Sequence, residues 1–172
     1  IADADTGYGE VPQVIHTVHE LEAAGAAAIQ FEDQVFPKRC GHMEGKKVIP
    51  AEEMVVKLRA ALDARRNPET VIIARSDATA VTGLDDAIRR SRMYADAGAD
   101  VIFIDAPTSE DDLAAIAAGG IDAVLMVNVS EHGKTPDLGA RRFQELGFGL
   151  VIYPSSTLFA AAQSTKRSEE HT

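Results

Sequence analysis

Three carboxylates and one basic loop are the groups in this sequence that could do chemistry. Asp3-Ala4-Asp5 closes a short aliphatic run. If that run is a strand, side chains alternate with period two and both carboxylates face one side. Two carboxylates that close repel each other unless a cation lies between them. A few carboxylates with several waters make the usual site for Mg2+. The plainer alternative is a solvated strand end with Asp5 capping the next turn. Glu32-Asp33-Gln34 ends a second run and is placed to reach the same ion. Lys38, Arg39, Cys40, Gly41 and His42 follow, and Cys40 is the only cysteine. Cationic neighbours lower a thiol pKa and make it usable as an acid or base near neutral pH. A loop cysteine among solvated basic residues is the alternative. Cys40-x-His42 is too tightly spaced for zinc and has no further cysteine. Gly7-Tyr8-Gly9 lacks the third glycine of a dinucleotide loop. His16 and His19 fall in a helical stretch and read as surface or core.

The elements that must position these groups are legible from hydrophobic periodicity. Short apolar runs at 1–5, 28–32, 71–75, 101–105, 124–128 and 150–153 are too short for helices. Continuous apolar runs are what a sheet buried on both faces requires. Between them Val11, Val14, Ile15, Val18 and Leu21 recur at helical spacing before Gly25, and Met54, Leu58, Ala61 and Leu62 do so before Asn67-Pro68. Leu84, Ile88, Ser91 and Ala95 stop at Gly98; Leu138, Arg142, Phe143 and Leu146 stop at Gly147. Ser109 to Asp112 reads as a capping box opening a helix that ends near Gly119. Strand–helix alternation with short connections predicts right-handed βαβ units and a parallel sheet. Nearly every strand ends in a polar residue: Asp3 and Asp5, Glu32 and Asp33, Arg75 and Asp77, Asp105, Asn128, Tyr153. A doubly wound sheet gathers such groups at its switch point, whereas a barrel delivers every strand to one mouth. The expected fold is therefore α/β, a (β/α)8 TIM-type barrel represented by about six of its eight units over residues 1–165. A full barrel takes about 250 residues, and the start at Ile1 leads to the expectation that the first two units are missing.

Bulk properties narrow the class of partner. The net charge of −10 argues against nucleic acid or an anionic membrane. No apolar run is long enough to span a bilayer, and no signal-peptide pattern opens the chain. A single cysteine makes the reducing cytoplasm the expected compartment. Residues 166–172 are polar and follow no helical pattern, and Arg167 to Thr172 resembles the in-frame translation of a sequencing adapter, a frayed solvated terminus being the alternative. They are expected to be a non-native or disordered tail.

Asp-Ala-Asp-Thr-Gly-Tyr-Gly at 3–9, Glu-Asp-Gln at 32–34, Lys-Arg-Cys-Gly-His at 38–42 and Ala-Arg-Ser-Asp-Ala at 74–78 stand in a specific order and spacing. In these blocks the chain resembles the isocitrate lyase / phosphoenolpyruvate mutase superfamily, from Ile1 to about Gln163. The cysteine block resembles the lyase branch that includes methylisocitrate lyase and dimethylmalate lyase. Phosphonate mutases and oxaloacetate-decarboxylating members lack that cysteine. The resemblance implies a carbon–carbon lyase that cleaves a 2-hydroxy tri- or dicarboxylate to pyruvate or a related 2-oxo acid plus succinate or an analogue. It implies Mg2+, with Mn2+ possible, held by Asp5, with Asp3 and Glu32 partly through water. The ion chelates the 2-oxo or 2-hydroxy acid part and stabilises the enolate. Cys40 handles the proton at the released carbon, Lys38 and His42 tune the thiol and its loop, and Arg75 binds a substrate carboxylate or oxyanion. Gly41, Asp105, Asn128 and Ser130 fall where the family contacts substrate. Asp105 stands where many relatives carry Glu. A homotetramer is implied for the full-length protein, while the family's early substrate loop, a further metal-site Asp and the C-terminal helix exchanged between subunits are absent. Decarboxylase, phosphonate mutase or hydrolase chemistry on the same scaffold, or a non-catalytic assembly remnant, are the alternatives.

Overall fold

The computed structural model describes residues 1–39, 45–131 and 133–169. Six strands form one sheet in sequential order, every pair parallel. They are β1 (Ala2–Asp3), β2 (Ala28–Glu32), β3 (Val71–Ser76), β4 (Val101–Ile104), β5 (Val124–Asn128) and β6 (Phe148–Ile152). The helices between them are α1 (Val11–Ala23), α2 (Ala51–Ala64), α3 (Leu84–Asp96), α4 (Glu110–Ala117) and α5 (Ala140–Leu146), with α6 (Ser156–Glu169) last. The result is a curled half-barrel of six β/α units, as the alternation of runs and stripes predicts. None of the helices is long and apolar enough to cross a membrane, among the described residues.

Period-two alternation sorts each strand into two faces. Ile29, Phe31, Ile72, Ala74, Ile102, Ile104, Leu125 and Val127 belong to the larger core, with Val14, Val18, Met54, Leu58, Tyr94, Leu113 and Phe143 from the helices. Ala28, Ile73, Val101, Phe103 and Met126 form a second, smaller cluster against Val71, Leu150 and Ile152. The second row is the inside of the curl. Glu32, Arg75, Asp105 and Asn128 are in phase with that inner row, so the pleat itself delivers them to one place. Edge-to-face packing of Phe143 on Phe148, centroids 6.1 Å apart, locks α5 onto β6.

The helix ends follow local chemistry. Ser109 Oγ accepts the backbone N–H of Asp112 at 3.0 Å. The return half of the expected box shifts by one residue, because the Asp112 carboxylate accepts from the N–H and hydroxyl of Thr108. Gly147 takes φ +107 at the end of α5, a left-handed stop that a side chain would oppose. β3 runs one residue past the sequence reading, to Ser76, and β4 stops one short, at Ile104; other boundaries differ more. β1 ends at Asp3, because Asp5 has φ +50 and leaves the extended region. β6 begins at Phe148 and ends at Ile152, so Tyr153 lies beyond the strand. α6 continues through Lys166 and Arg167 into the segment read as lying outside the fold. Its run of alanines with Gln163, Lys166 and Arg167 carries helix propensity without an apolar stripe, and the helix is exposed along its described length apart from Ser156.

Candidate active site

At the C-terminal rim of the curl, Asp3, Asp5 and Glu32 converge on one ammonium. Lys38 Nζ lies 2.7 Å from Asp5 Oδ1, 3.4 Å from Asp3 Oδ2 and 3.6 Å from Glu32 Oε2. The convergence of Asp3 and Asp5 has a different origin from strand alternation. The Asp5 N–H donates to Asp3 Oδ1 at 3.0 Å, closing a tight turn that lets aspartate adopt a left-handed conformation. The turn continues through Gly7 at φ +87, where a Cβ would stand 2.6 Å from Val14 Cγ2. Glycine is therefore required there by both backbone and space. Glu32 ends β2 on the inner face. Its side chain is buried, and neither carboxyl oxygen has a hydrogen-bond partner among the described residues. Burial pushes its pKa up to about 7, against the pull of Arg75 and Lys38. Burial acts the other way on Lys38, but the hydrogen bond to Asp5 and the charges of Glu32 and Asp3 win and raise its pKa.

Whether these residues fit a divalent cation can be judged from the donors. Among the described residues, no three His, Cys, Asp or Glu side chains stand ready as a ligand cluster. The ammonium of Lys38 lies between the carboxylates that would form one. The donors are nonetheless hard oxygens, and the buried Glu32 carboxyl, which accepts no hydrogen bond among the described residues, is a group that a cation or its water would satisfy. The set fits Mg2+ or Mn2+ through Asp3, Asp5 and Glu32.

A second charged cluster adjoins the first. Arg75 Nε lies 2.8 Å from Asp77 Oδ2 and 3.5 Å from Glu32 Oε2, and Arg75 Nη2 lies 3.2 Å from Asp105 Oδ2. Arg75 Nη2 also donates to Asp77 Oδ1 at 3.0 Å. The guanidinium carbon stands 5.2 Å over the Phe103 ring. Burial disfavours the charge, yet Asp105, Asp77 and Glu32 raise the Arg75 pKa, so it stays a cation. Ser130 Oγ donates to Asn128 Oδ1 at 3.4 Å, tying the loop after β5 to the strand's last residue. Asp3, Lys38, Arg75, Asp105, Asn128 and Ser130 line a single cavity of about 620 Å3 with an apolar floor of Phe103 and Ile152. Cys40, Gly41 and His42, expected as catalytic or substrate-contacting, lie outside the described residues.

Asp33 is the correction to the expected ion site. One residue after Glu32, it faces away from the cavity. Its oxygens accept from the Ser76 hydroxyl at 2.9 Å, the Asp77 N–H at 2.9 Å and the Tyr94 hydroxyl at 2.8 Å. Arg90 Nη1 stands 3.5 Å away. Asp33 therefore fixes the backbone that carries Asp77, and through it Arg75. Gln34 likewise turns to structure, with both amide atoms on the Arg39 backbone, donating to its carbonyl and accepting its N–H at 2.9 Å each. Two site residues escape sequence reading. Gln30 lines the cavity from the middle of β2, and a glutamine inside an apolar strand was the available signal. Lys46, beside the exposed Lys47, is buried against Asp77 and Asp105; nothing in the sequence distinguishes it from a solvated lysine.

Comparison with known proteins follows the same lines. The phosphoenolpyruvate phosphomutase profile matches residues 1–172. The 2,3-dimethylmalate lyase of Eubacterium barkeri is 44% identical over 164 residues, 95% of this chain and 56% of that protein. A probable 2-methylisocitrate lyase of Corynebacterium glutamicum is 49% identical over 158 residues, 92% of this chain and 52% of that protein. The crystal structure of a 2,3-dimethylmalate lyase of the PEP mutase/isocitrate lyase superfamily superposes with TM-score 0.92 at 37% identity, covering 99% of this chain and 57% of the other. Phosphonopyruvate hydrolase in complex with oxalate and Mg2+ superposes with TM-score 0.82 at 33% identity, covering 96% and 57%. The chain spans about half the length of the curated relatives it matches. With its six sequential β/α units and the carboxylates of 3–5 and 32 gathered at their rim, the chain belongs to the phosphoenolpyruvate phosphomutase family, within the isocitrate lyase / PEP mutase superfamily.

Proposed function

We propose that this chain is the catalytic part of a divalent-cation-dependent carbon–carbon lyase. Its substrate is a 2-hydroxy tri- or dicarboxylate of the 2-methylisocitrate or 2,3-dimethylmalate type. Its products are pyruvate or a related 2-oxo acid and succinate or an analogue. The observation that carries this reading is the adjacency, at one cavity, of the Asp3–Asp5–Glu32 carboxylates and the Arg75 guanidinium. One cluster suits a cation that grips a 2-hydroxy acid. The other suits a carboxylate on the same small molecule. Likeness to lyases acting on dimethylmalate and methylisocitrate supports the substrate class.

When bound, Mg2+ (or Mn2+) supplies the electrophile that draws charge from the 2-hydroxy or 2-oxo end of the substrate. The chain's own residues do the rest. Cleavage passes the proton of the 2-hydroxyl to solvent water in the cavity, forms the oxo group, and sends the carbon–carbon electron pair to the neighbouring carbon. That carbon must then take a proton. Cys40, flanked by Lys38 and His42, is the assigned donor. Arg75, held rigid by Asp77 and by the Phe103 face, orients a carboxylate. Lys38, Asn128, Ser130 and Asp105 complete the polar wall, and Gly41 is a proposed substrate contact. Asp105 is already paired with Arg75 and Lys46, so its role is to aim Arg75 rather than to grip substrate alone. The working protein is proposed to be a cytoplasmic homotetramer.

Hydrolysis on this scaffold is the second reading, favoured by the likeness to phosphonopyruvate hydrolase. Cys40→Ser separates the two. Serine is nearly isosteric but far less acidic, so proton delivery slows while binding persists. The lyase reading expects kcat to fall roughly 1,000- to 10,000-fold with KM little changed. A near-normal kcat in Cys40→Ser would make the thiol a bystander and move hydrolysis or decarboxylation ahead.

A further inference from the structure

Lys46 has no task in the chemistry above, yet it is buried beside it. It lies on the segment joining β2 to α2, where lysines are ordinarily solvated, and its neighbour Lys47 is exposed. Its side chain is 2% exposed, with Nζ 3.0 Å from Asp77 Oδ1 and 3.5 Å from Asp105 Oδ2. A buried ammonium is costly unless its partners need it. Here they do. Asp77 and Asp105 both lean on Arg75, at 2.8 Å and 3.2 Å. One guanidinium cannot neutralise two buried carboxylates. Lys46 and Arg75 together match the charges of Asp77 and Asp105; without Lys46 the two carboxylates face one cation fewer beside the cavity. Arg75 Nη1 makes no hydrogen bond among the described residues, whereas Nε and Nη2 are taken by Asp77. The guanidinium thus keeps one nitrogen for a ligand.

We propose that Lys46 is a positioning residue: its ammonium supplies the second positive charge that the Asp77–Asp105 pair needs, so that Arg75 meets an anionic substrate with one negative charge fewer beside it. The proposal rests on the reading of the cavity as a carboxylate site. Removing Lys46 sets an uncompensated carboxylate against an incoming carboxylate a few ångströms away. At the effective dielectric of a protein site, that repulsion weakens binding on the order of a hundredfold. The same change frees Asp105 to draw the guanidinium toward itself.

The test uses the complete protein with Mg2+ and three variants. Lys46→Met keeps the stem without the charge, Lys46→Gln keeps hydrogen-bond donors without the charge, and Lys46→Arg restores the charge. Two quantities are read: KM and kcat for whichever 2-hydroxy acid is cleaved, and oxalate affinity by titration calorimetry. Lys46→Met and Lys46→Gln are expected to raise KM and the oxalate Kd by about ten- to a hundredfold with kcat nearly unchanged, and Lys46→Arg to recover most of the loss. A merely structural lysine would lower the unfolding midpoint and leave both constants unmoved, which would overturn the proposal. So would a rise in Lys46→Met that Lys46→Gln escapes, since the hydrogen bonds and not the charge would then matter. If no 2-hydroxy acid is cleaved, the lyase reading fails, and the oxalate measurement still decides the role of Lys46.

Discussion

Glu32 gives the site a pH signature in the metal-free protein. Its carboxyl is buried without a hydrogen-bond partner, and its pKa rises from 4.5 to about 7. The difference, 7 − 4.5, is roughly 2.5 units, and each unit is worth about 1.4 kcal/mol, so the full effect is about 3 kcal/mol. The sign follows from which state holds the proton more tightly. An acid whose folded pKa is raised contributes stability fully below its unfolded pKa and loses it as pH rises through the folded value. Metal-free protein is therefore expected to lose about 3 kcal/mol from this group between about pH 4 and about pH 8. In Glu32→Gln the neutral amide stands in for the protonated acid at every pH. Urea denaturation in the presence of a chelator, for both proteins across that range, isolates the group, because the histidines and other acids are common to both. The wild type should fall relative to Glu32→Gln by about 3 kcal/mol as pH rises. Curves that run parallel within about 0.5 kcal/mol would refute the reasoning.

Two further outcomes are expected from substitution. Asp5→Ala in the complete protein should cut Mg2+-dependent turnover roughly a thousandfold or more; turnover that persists in a chelator would remove the cation from the mechanism. Asp33→Asn should cost about 3–5 kcal/mol of stability, because the amide cannot accept from Ser76, Asp77 and Tyr94 together and leaves Arg90 short of a partner. It is read as a shift of the urea midpoint at constant slope, and a loss below about 1 kcal/mol would contradict the assignment.

Much of the architecture was legible because two periodicities do the writing. Runs such as 101–105 and stripes such as Leu84 and Ile88 determine sheet and helix directly, and the polar residue after each run marks the rim. Asp5 reached its expected neighbours for a reason the sequence reading missed: a left-handed turn, not strand alternation. Glu32 and Asp33 are adjacent in sequence and look interchangeable as ligands. The pleat sends one to the inner face beside Arg75 and Lys38 and the other behind the sheet, where Tyr94 and Ser76 wait for it. Lys46 was invisible, since its burial depends on where a loop crosses the ends of β3 and β4, and that is a tertiary fact. The helix through Lys166 was missed because alanine-rich helices need no apolar stripe.

The cavity is proposed to break a carbon–carbon bond in a 2-hydroxy acid. The direct measurement is product analysis: the complete protein with 2-methylisocitrate or 2,3-dimethylmalate, with Mg2+ and with a chelator, followed by quantitation of the 2-oxo acid and the second carboxylic acid. Equal amounts of the two products, formed with Mg2+ and abolished by the chelator, are expected. Release of carbon dioxide or acetate from oxaloacetate, or of phosphate from a phosphonate, with neither 2-hydroxy acid cleaved, would contradict it.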